Sequence, residues 1–427
     1  MALGSLLSGL GQTPPPNAGY PGGFRPIPNQ TPLNGNTGTG GMAALMLQQA
    51  QLQNSLALSA QAQQMMNPSF DQARTALTNS ITNPTPRNDI QLNPQHQVAV
   101  LDTFVGGTPD RPAHGFGVAD VVRQTGGLNN DQIALVSDNV PGEFGVPFPR
   151  QLLTAPGEAT ASQRVNSFIE TTVAGGMSQT NTALEAIANQ KNAPNLRGVN
   201  YSTSGTDLNG FMALNNVAIT RDANGQRQLT PEGRVIFEGL GIEPTLNPDT
   251  LRQFAQRGTD RFGEVTANSP LVQSQMKRHE AVSKRLQDQG IHYTVSAGND
   301  GGVIEDYRSV GVNLKPTADD NIYANRYNVT VGSLDTRGTA DPSDDRVADH
   351  SVQDPEVDFL APGVNRNITV FGQNHSVTGT SYAAPDINGR LVRLSRENPS
   401  LSASAIQNLL RQSAGPPVPG SNVSAIR

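Results

Sequence analysis

The feature that most constrains the fold is an alternation, from about residue 95 onwards, of short β-branched segments with helix-forming segments. The apolar segments are VAVLD, QIALVS, GVNYS, IHYTVSAGN, YNVTVGS and VDFLAPG, and each ends in or precedes Gly, Asn, Asp or Ser. Between them lie stretches rich in helix formers, such as TNTALEAIANQKNA and SPLVQSQMKRHEAVSKRLQDQG. This alternation predicts an α/β fold with a mostly parallel sheet flanked by helices on both faces.

In such a sheet, functional side chains collect beyond the carboxyl ends of the strands. Asp102, Ser202 and Asn299 stand at or just past such ends. Ser381 follows Gly-Thr at the start of a predicted helix, where free N–H groups and the helix dipole favour negative charge. His114 belongs to a His-Gly pair that opens another helix with an apolar face.

An acyl-transfer site needs a nucleophilic hydroxyl, a base, a carboxylate that orients the base, and donors for the oxyanion. Ser381, His114, Asp102 and Asn299 are candidates for these roles, in that order. Taken singly, each residue has a structural explanation. Ser381 could be a helix N-cap, and His114 could belong to a turn. Asp102 could be a structural carboxylate after a strand, and Asn299 could lie where a strand passes into a turn. Only their joint occurrence, each in the required secondary-structure setting, indicates an active site.

The chain resembles the subtilisin-like serine proteases, the subtilase family, over roughly residues 95–415. VAVLDTF resembles the family's aspartate motif, HGFGVA its histidine motif, SAGND its oxyanion motif, TGTSYAAP its serine motif, and DFLAPGV the segment before the serine. The resemblance implies a three-layer subtilisin-like fold and a serine endopeptidase that hydrolyses protein or peptide substrates through an acyl-enzyme, with no cofactor. It implies that Ser381 is the nucleophile, His114 the general base and then acid, Asp102 the orienting carboxylate, and Asn299 the oxyanion donor.

The family also binds its substrate as an added β-strand against a Ser-Leu-Gly segment. NYSTSG resembles that segment, with Thr and Ser in place of Leu and Gly. The resemblance therefore predicts two walls for the first specificity pocket. They comprise Ser202, Thr203, Ser204, Ser296, Ala297 and Gly298.

The chain departs from the family pattern near two motifs. Phe104 follows the Asp-Thr pair where the family usually has Gly, and Phe116 and Gly117 replace a Thr-His pair. The spacing of twelve residues between Asp102 and His114 is short for the family and removes loops that often bind calcium or substrate. No catalytic group is deleted, so we expect an active enzyme. The alternative is a catalytically silent subtilase scaffold that acts as a binding protein, with the two phenylalanines crowding its cleft.

Other chemistries fit the sequence less well. Serine-carboxyl peptidases share the GTS motif but use Glu and Asp where this chain has His114 and Asn299, and an α/β-hydrolase needs G-x-S-x-G. The remaining histidines lack the setting of a catalytic base, and we interpret them as surface or structural residues: His96, His279, His292, His350 and His375. Acidic clusters that are more typical of solvated turns could also bind calcium. They contain Asp319, Asp320, Asp341, Asp344 and Asp345.

Residues 1–92 are predicted to form a low-complexity, partly helical N-terminal extension. Between Met1 and Phe70 the only charged side chain is Arg25, and the Pro/Gly/Asn-rich beginning predicts disorder. Residues 41–66 contain strong helix formers and predict a helix. That helix could dock on a partner, self-associate or serve in export, or simply pack on its own domain.

The catalytic domain is predicted over residues 93–418. Within it, residues 206–268 interrupt the alternation of strand and helix segments with Gly/Asn/Thr-rich sequence. We interpret them as an insertion of surface loops or a small subdomain outside the core layers. The end of the chain predicts two closing helices, the second of which begins near Ser402.

Composition excludes several function classes. The chain lacks cysteine, which excludes disulfides, thiol catalysis and cysteine-ligated zinc. Its net charge is −6 without a Lys/Arg run, so nucleic acid is not an expected partner. No apolar stretch approaches the ~18 residues that span a bilayer. Neither a signal peptide nor an inhibitory pro-domain is recognisable before Gln95. The location is left open between the cytoplasm and secretion by another route, with bacterial export slightly favoured.

Overall fold

The computed structural model describes residues 68–105, 107–138, 148–309, 311–314, 321–353, 356–415, 417–419 and 421–427. The predicted disordered tail, the helix predicted over residues 41–66, and Asp319 and Asp320 lie outside the described residues.

A central sheet of seven strands organises the described part of the chain. Its strands are β1 Val98–Asp102, β2 Ile133–Ser137, β3 Gly198–Tyr201, β6 His292–Ser296, β7 Val329–Asp335, β8 Arg346–Val347 and β9 Phe359–Pro362. Two antiparallel hairpins lie outside this sheet. They are β4 Ile219–Arg221 with β5 Arg227–Leu229, and β10 Arg366–Val370 with β11 Gln373–Val377.

Helices surround the sheet. They are α1 Phe70–Thr82, α2 His114–Gly126, α3 Gln151–Thr154, α4 Ala161–Ala188, α5 Asp207–Ala218, α6 Pro231–Gly239, α7 Pro248–Asn268, α8 Pro270–Asp288, α9 Asp300–Arg308, α10 Thr380–Glu397 and α11 Ala403–Ser413. The predicted cap of the last helix is confirmed, because the Ser402 side chain accepts a hydrogen bond from the N–H of Ala405. In the described part of the chain, no helix is long and apolar enough to cross a membrane.

The strand order β2-β1-β3-β6-β7 is parallel throughout, and β9 joins β7 in parallel while β8 joins it in antiparallel orientation. The predicted mostly parallel sheet is therefore confirmed. Asp102 is opposite Ser137, and Tyr201 is opposite Val295, so β1, β2, β3 and β6 end at the same edge. This register brings together the polar residues that follow these strands.

Each face of the sheet buries its own set of apolar side chains. In β1, Ala99 and Leu101 join a core with α4 and α8, whereas Val98 and Val100 join a second core with α2. Helix α10 packs on this second face beside α2, where Ala383, Ala384 and other small or aliphatic residues contact β7. The result is a three-layer arrangement with the sheet in the middle.

Residues 206–268 correct the prediction of an insertion outside the core. They form α5, α6, α7 and the β4–β5 hairpin, and their side chains extend the core around α4. Phe211, Phe254 and Phe262 are each at most 1% exposed. Phe211 and Phe254 pack edge-on with ring centroids 5.0 Å apart. These helices are a layer of the domain rather than a set of surface loops.

The compact body also begins before the predicted boundary at residue 93. Ile81, Ile90 and Leu92 belong to the same core as β1 and α4. Ser178 of α4 donates a hydrogen bond to the carbonyl of Ile81 at 2.8 Å, which attaches the end of α1 to the domain. Residues 70–92 are thus part of the fold.

At the other end, the fold continues past the predicted limit at residue 418. The N–H of Leu360 in β9 donates to the carbonyl of Ser424 at 3.0 Å, and the N–H of Ile426 donates to the carbonyl of Leu360 at 2.8 Å. The Arg427 guanidinium donates to the buried Asp345 carboxylate at 2.9 Å. The tail therefore forms an isolated parallel β-bridge to β9, between Ala425 and Leu360.

Candidate active site

Three side chains that sequence analysis singled out lie in contact beyond the carboxyl ends of the strands. The two carboxylate oxygens of Asp102 lie 2.8 Å and 3.0 Å from Nδ1 of His114. On the other side of the ring, Nε2 of His114 lies 2.9 Å from Oγ of Ser381. The carboxylate favours the tautomer with its proton on Nδ1, which leaves Nε2 able to accept the hydroxyl proton. The arrangement is a continuous series from hydroxyl to imidazole to carboxylate.

Asp102 is held by the backbone around it. It is the last residue of β1 and is 6% exposed. The N–H of Thr103 donates to its Oδ1 at 2.7 Å. The Thr103 hydroxyl donates to Asp138 at 3.2 Å, and the N–H of Asp138 donates to the carbonyl of Asp102 at 3.0 Å. These bonds join the turns after β1 and β2 and fix the orientation of the carboxylate.

His114 is the first residue of α2. A cluster of aromatic side chains packs against this end of the helix. A methyl group on Gly115 would lie 2.5 Å from the Phe104 ring, so the helix start packs directly on that ring. Phe116 packs edge-on against Phe104 and Phe371, with centroid distances of 5.3 Å and 5.0 Å. Phe104 and Phe116 are 1% and 6% exposed and belong to a core cluster. They support the helix that carries His114 rather than filling the cleft.

Ser381 is the second residue of α10, and the start of this helix is tied to the ends of β3 and β6. The Ser202 hydroxyl donates to the carbonyl of Ser381 at 2.8 Å. The side-chain oxygen of Asn299 accepts from the N–H of Thr380 at 2.9 Å. The N–H of Ser381 lies in the first turn, where helix N–H groups have no partner within the helix. Among the described residues, no backbone carbonyl outside the helix accepts a hydrogen bond from this N–H.

A buried amide network lies beneath this helix start. Asn388 donates to the carbonyl of Val199 at 3.0 Å and to the hydroxyl of Thr294 at 3.1 Å. Thr294 donates to Asn200 at 2.9 Å, and Asn200 donates to the Ser202 hydroxyl at 2.9 Å. Sequence analysis missed Asn200, Thr294 and Asn388. The available signal was a polar residue inside an apolar strand, at Asn200 and at Thr294.

Gly379 and Asn299 shape the space beside the Ser381 hydroxyl. Gly379 precedes α10 with φ of 155°, a conformation that side chains rarely adopt. A methyl group there would lie 3.1 Å from Oγ of Ser381 and 3.4 Å from Nδ2 of Asn299. Because Oδ1 of Asn299 is occupied by Thr380, its Nδ2 is the group that remains to donate beside the hydroxyl. The glycine therefore leaves open a space that the hydroxyl and the amide both border.

Next to the imidazole, Tyr382 contributes a neutral aromatic surface. Its ring centroid lies 5.3 Å from that of His114. Burial raises the pKa of the Tyr382 phenol above its ordinary value, and the negative charge of Asp102 adds to this effect. The phenol therefore stays protonated beside the imidazole at neutral pH.

The residues predicted as pocket walls follow β3 and β6, and the two segments lie side by side. The N–H of Ser296 donates to the carbonyl of Thr203 at 3.1 Å. All of these residues are buried. Their exposed fractions are 5% for Ser202, 2% for Thr203, 3% for Ser204, 2% for Ser296 and 1% for Ala297, and Gly298 is also buried.

A polar cluster that sequence analysis missed stands behind one wall. Asn209 of α5 donates to the Ser204 hydroxyl at 3.3 Å and to the Asp300 carboxylate at 2.7 Å. The Thr206 hydroxyl donates to the same carboxylate oxygen at 2.8 Å. Asp300 is 2% exposed, so its charge is compensated by hydrogen bonds from inside the protein.

The remaining histidines and the acidic turn serve in other contacts. His279 and His292 lie in the core, bonded to Asn181 and Ser395 respectively. Three further histidines are partly buried: His96, His350 and His375. The acidic turn makes local contacts through Asp341 with Ser343, Asp344 with Thr339, and Asp345 with Arg427. Within the described residues no group of three or more potential metal ligands is present, and calcium binding stays a prediction.

A serine hydroxyl, an imidazole and a carboxylate in hydrogen-bonded series, beyond the strand ends of a parallel sheet, have the geometry of a serine hydrolase. The sequence pattern of the subtilase family (Peptidase_S8) matches residues 180–424, which is more than half of the chain. The chain therefore belongs to the subtilase family. The matched range includes Asn299 and Ser381 and begins after Asp102 and His114.

Among characterised relatives, the serine protease AprX of Bacillus subtilis (strain 168) is 32% identical over 143 residues. The alignment covers 29% of this chain and 30% of AprX, so the chain spans less than a third of the length of that relative.

Similar solved structures include three proteases. A lanthipeptide protease is 15% identical with a TM-score of 0.38, covering 85% of this chain and 97% of its own. A cold-adapted subtilisin-like serine proteinase is 17% identical with a TM-score of 0.34, covering 80% and 92%. MycP1 from Mycobacterium smegmatis is 16% identical with a TM-score of 0.38, covering 83% and 82%.

Proposed function

We propose that the chain is a serine endopeptidase that cleaves peptide bonds with Ser381 as nucleophile, His114 as general base and acid, and Asp102 as the carboxylate that orients the imidazole. The observation that carries the proposal is the series of hydrogen-bond distances, 2.9 Å from Oγ to Nε2 and 2.8 Å from Nδ1 to the carboxylate. Membership of the subtilase family supports the same chemistry.

In the first step, Nε2 of His114 takes the Ser381 proton as Oγ bonds to the peptide carbonyl carbon. The carbonyl oxygen becomes an oxyanion, which accepts hydrogen bonds from the N–H of Ser381 and Nδ2 of Asn299. The C–N bond then breaks as Nε2 returns its proton to the leaving amine, which produces an acyl-enzyme. Water attacks the ester by the same proton route and restores the serine. The Asp102 carboxylate orients the imidazole and stabilises the imidazolium.

The site contains the parts that preorganise this chemistry. Ser202 and Asn299 hold the first residues of α10 from two strand ends, so Oγ and its N–H keep their relative position without substrate. The Tyr382 ring borders the imidazole with aromatic surface. Such surroundings strengthen the charge interactions in the transition state, because they exclude water.

Labelling with a fluorophosphonate probe tests the proposal, because the probe reacts with activated serines. We expect one covalent adduct on Ser381 by peptide mapping, and its loss in Ser381→Ala and His114→Ala. Ser376→Ala and His375→Ala are matched controls, since both lie on the β11 strand and the Ser381 hydroxyl is hydrogen-bonded to His114 instead. A folded wild-type protein that takes no label and cleaves no peptide would indicate a binding scaffold instead.

The oxyanion role of Asn299 has its own test. In subtilisin, the reference case for this effect, removal of the corresponding donor costs about 10²–10³ in kcat. We expect a loss of that order for Asn299→Ala with little change in KM, measured on a peptide substrate. If Asn299→Ala also reduces Ser381 labelling, lowers the melting temperature and raises KM, the role of Asn299 is structural instead. That role would act through the hydrogen bond that Asn299 accepts from the N–H of Thr380.

A further inference from the structure

The two predicted pocket walls approach each other closely at Gly298, and the inference from this contact rests on the proposed function of the site. A methyl group on Gly298 would lie 3.1 Å from the Ser204 hydroxyl of the opposite wall and 3.2 Å from Nδ2 of Asn209. On its remaining side it would lie 3.0 Å from Cγ2 of Val352. These distances are shorter than ordinary van der Waals contacts, so at this level even one methyl group on Gly298 would have to displace a neighbouring side chain.

Asn321 joins the same two walls at a second point. Its Nδ2 donates to the carbonyl of Ser296 at 2.9 Å, and its Oδ1 accepts from the N–H of Gly205 at 2.9 Å. Asn321 is 2% exposed, and its Oδ1 also accepts from the N–H of Tyr323 at 3.1 Å. One buried amide thus fixes the distance between the walls, which cannot separate without breaking its hydrogen bonds.

Ile322 occupies the position next to this amide. A methyl group on Gly205 would overlap Cγ1 of Ile322 and would lie 2.8 Å from its Cδ1, so the side chain packs directly on the backbone beyond Ser204. Ile322 is 5% exposed and belongs to the main core. The volume behind the wall is therefore filled by an aliphatic side chain of the protein itself.

We propose that this filled pocket restricts the protease to peptide bonds that follow a small residue, namely Gly, Ala or Ser, and that Ser204 and Ile322 are the specificity-determining residues. A large aromatic or aliphatic side chain entering between the walls meets the Ser204 hydroxyl, the Asn209 amide and the Ile322 side chain. These groups are anchored by hydrogen bonds or core packing, so they cannot move aside without cost. A basic side chain is disfavoured by the same lack of space, although Asp300 lies behind the wall.

The test uses the full-length enzyme and internally quenched peptides that differ only in the residue before the cleaved bond: Gly, Ala, Ser, Leu, Phe and Lys. We expect kcat/KM to be at least about tenfold higher for Ala than for Phe, Leu or Lys, since pockets discriminate by about 10–200-fold per misfitting group. A wild-type preference for Phe, Leu or Lys would overturn the proposal.

Two variants test the residues independently. Ser204→Gly and Ile322→Ala should each raise the Phe-to-Ala ratio of kcat/KM by about tenfold, because each removes volume from the pocket. Ile90→Ala is the matched control, since Ile90 is also 5% exposed and lies in the same core near the start of the domain. Variants whose melting temperature matches that of the control but whose ratio stays at the wild-type value would overturn the assignment. Absence of both cleavage and labelling at Ser381 in the folded wild type would instead refute the proposed function, and this inference with it.

Discussion

Two buried histidines should make the fold sensitive to mild acid. The Nδ1 of His279 lies 2.8 Å from the side-chain oxygen of Asn181, and the rings of Tyr293 and Tyr323 pack around it at 5.6 Å and 5.4 Å. His292 in β6 lies 2.8 Å from the Ser395 hydroxyl through Nε2. Burial lowers the pKa of both histidines to about 4, and a nearby arginine contributes to the lowering at His292.

The sign and size of the effect follow from proton linkage. In the unfolded chain these histidines titrate at their ordinary pKa of 6.5, so between pH 6.5 and 4 the unfolded state binds more protons than the fold. Their contribution is fully present above pH 6.5 and is lost as pH falls towards 4. A shift of about 2.5 pH units corresponds to about 3 kcal/mol per histidine. The two together, about 6 kcal/mol, fall in the lower part of the about 5–15 kcal/mol of total stability that is typical of domains.

Urea unfolding followed by far-ultraviolet circular dichroism measures this effect, with the Ser381→Ala variant used to prevent self-digestion. The free energy of unfolding should fall by about 2 kcal/mol or more between pH 7 and 5.5. His279→Gln and His292→Gln should each flatten the profile, whereas His375→Gln removes a histidine outside the core and serves as the control. The ordinary pKa values of Asp and Glu, 3.8 and 4.5, lie below this window, although burial raises the pKa of Asp345 and of Asp358. A profile that is level from pH 7 to 5, or equally steep in both core variants, would refute the reasoning.

Two further predictions concern α10. The fully buried Asp386 carboxylate contacts Arg390 at 2.5 Å and Arg366 of β10 at 2.7 Å, the latter as a charge contact without hydrogen-bond alignment. Asp386→Ala should lower the free energy of unfolding by about 3 kcal/mol, because it leaves two partly buried cations unpaired. Asp249→Ala, which breaks an exposed pair, should cost less than about 1 kcal/mol, and equal costs in urea unfolding would contradict this account. Gly379→Ala should reduce kcat/KM at least about tenfold in peptide cleavage, because its methyl group enters the space beside Ser381 in a strained conformation. Wild-type activity in that variant would show that the space is not used.

The parallel sheet could be predicted from the sequence because its strands are buried on both faces. Such strands are short, continuous β-branched runs, and VAVLD is an example in which alternate residues serve opposite cores. The convergence of Asp102 and Asn299 at one edge then followed from parallel strand direction. Contact between those residues and Ser381 could only be expected by resemblance, because it depends on where α10 crosses the sheet.

The sequence does not predict the helical layer at residues 206–268, because glycines in a Gly/Asn/Thr-rich stretch ordinarily indicate loops. In the structure, a methyl group on Gly210 would overlap the Phe262 ring, and one on Gly258 would lie 2.7 Å from Phe211. These glycines allow helices to approach aromatic rings closely, so they serve packing rather than turns. A single sequence does not distinguish a glycine that allows close packing from a glycine that allows a turn. In both cases glycine stands where a side chain would not fit.

The pocket was also harder to predict than the catalytic groups. Ser202 to Ser204 could be aligned with a family segment, but Asn321 and Ile322, which determine its width, belong to a different part of the chain. Neither Asn321 nor Ile322 belongs to a recognisable motif, and an isoleucine before a tyrosine is typical of any hydrophobic core. Contacts of this kind arise from tertiary packing and leave no local pattern.

The separation of the site residues along the chain has a consequence for biosynthesis. His114 and Ser381 are 267 positions apart, and the hydrogen bond from Ser202 to Ser381 joins residues 179 apart. During synthesis, His114 leaves the ribosome long before Ser381 is added to the chain. Asn299, which follows β6, must also be in place before it can anchor the start of α10. A growing chain therefore carries no complete site, and its own unfolded segments are safe from it until nearly all of the domain has been synthesised and folded.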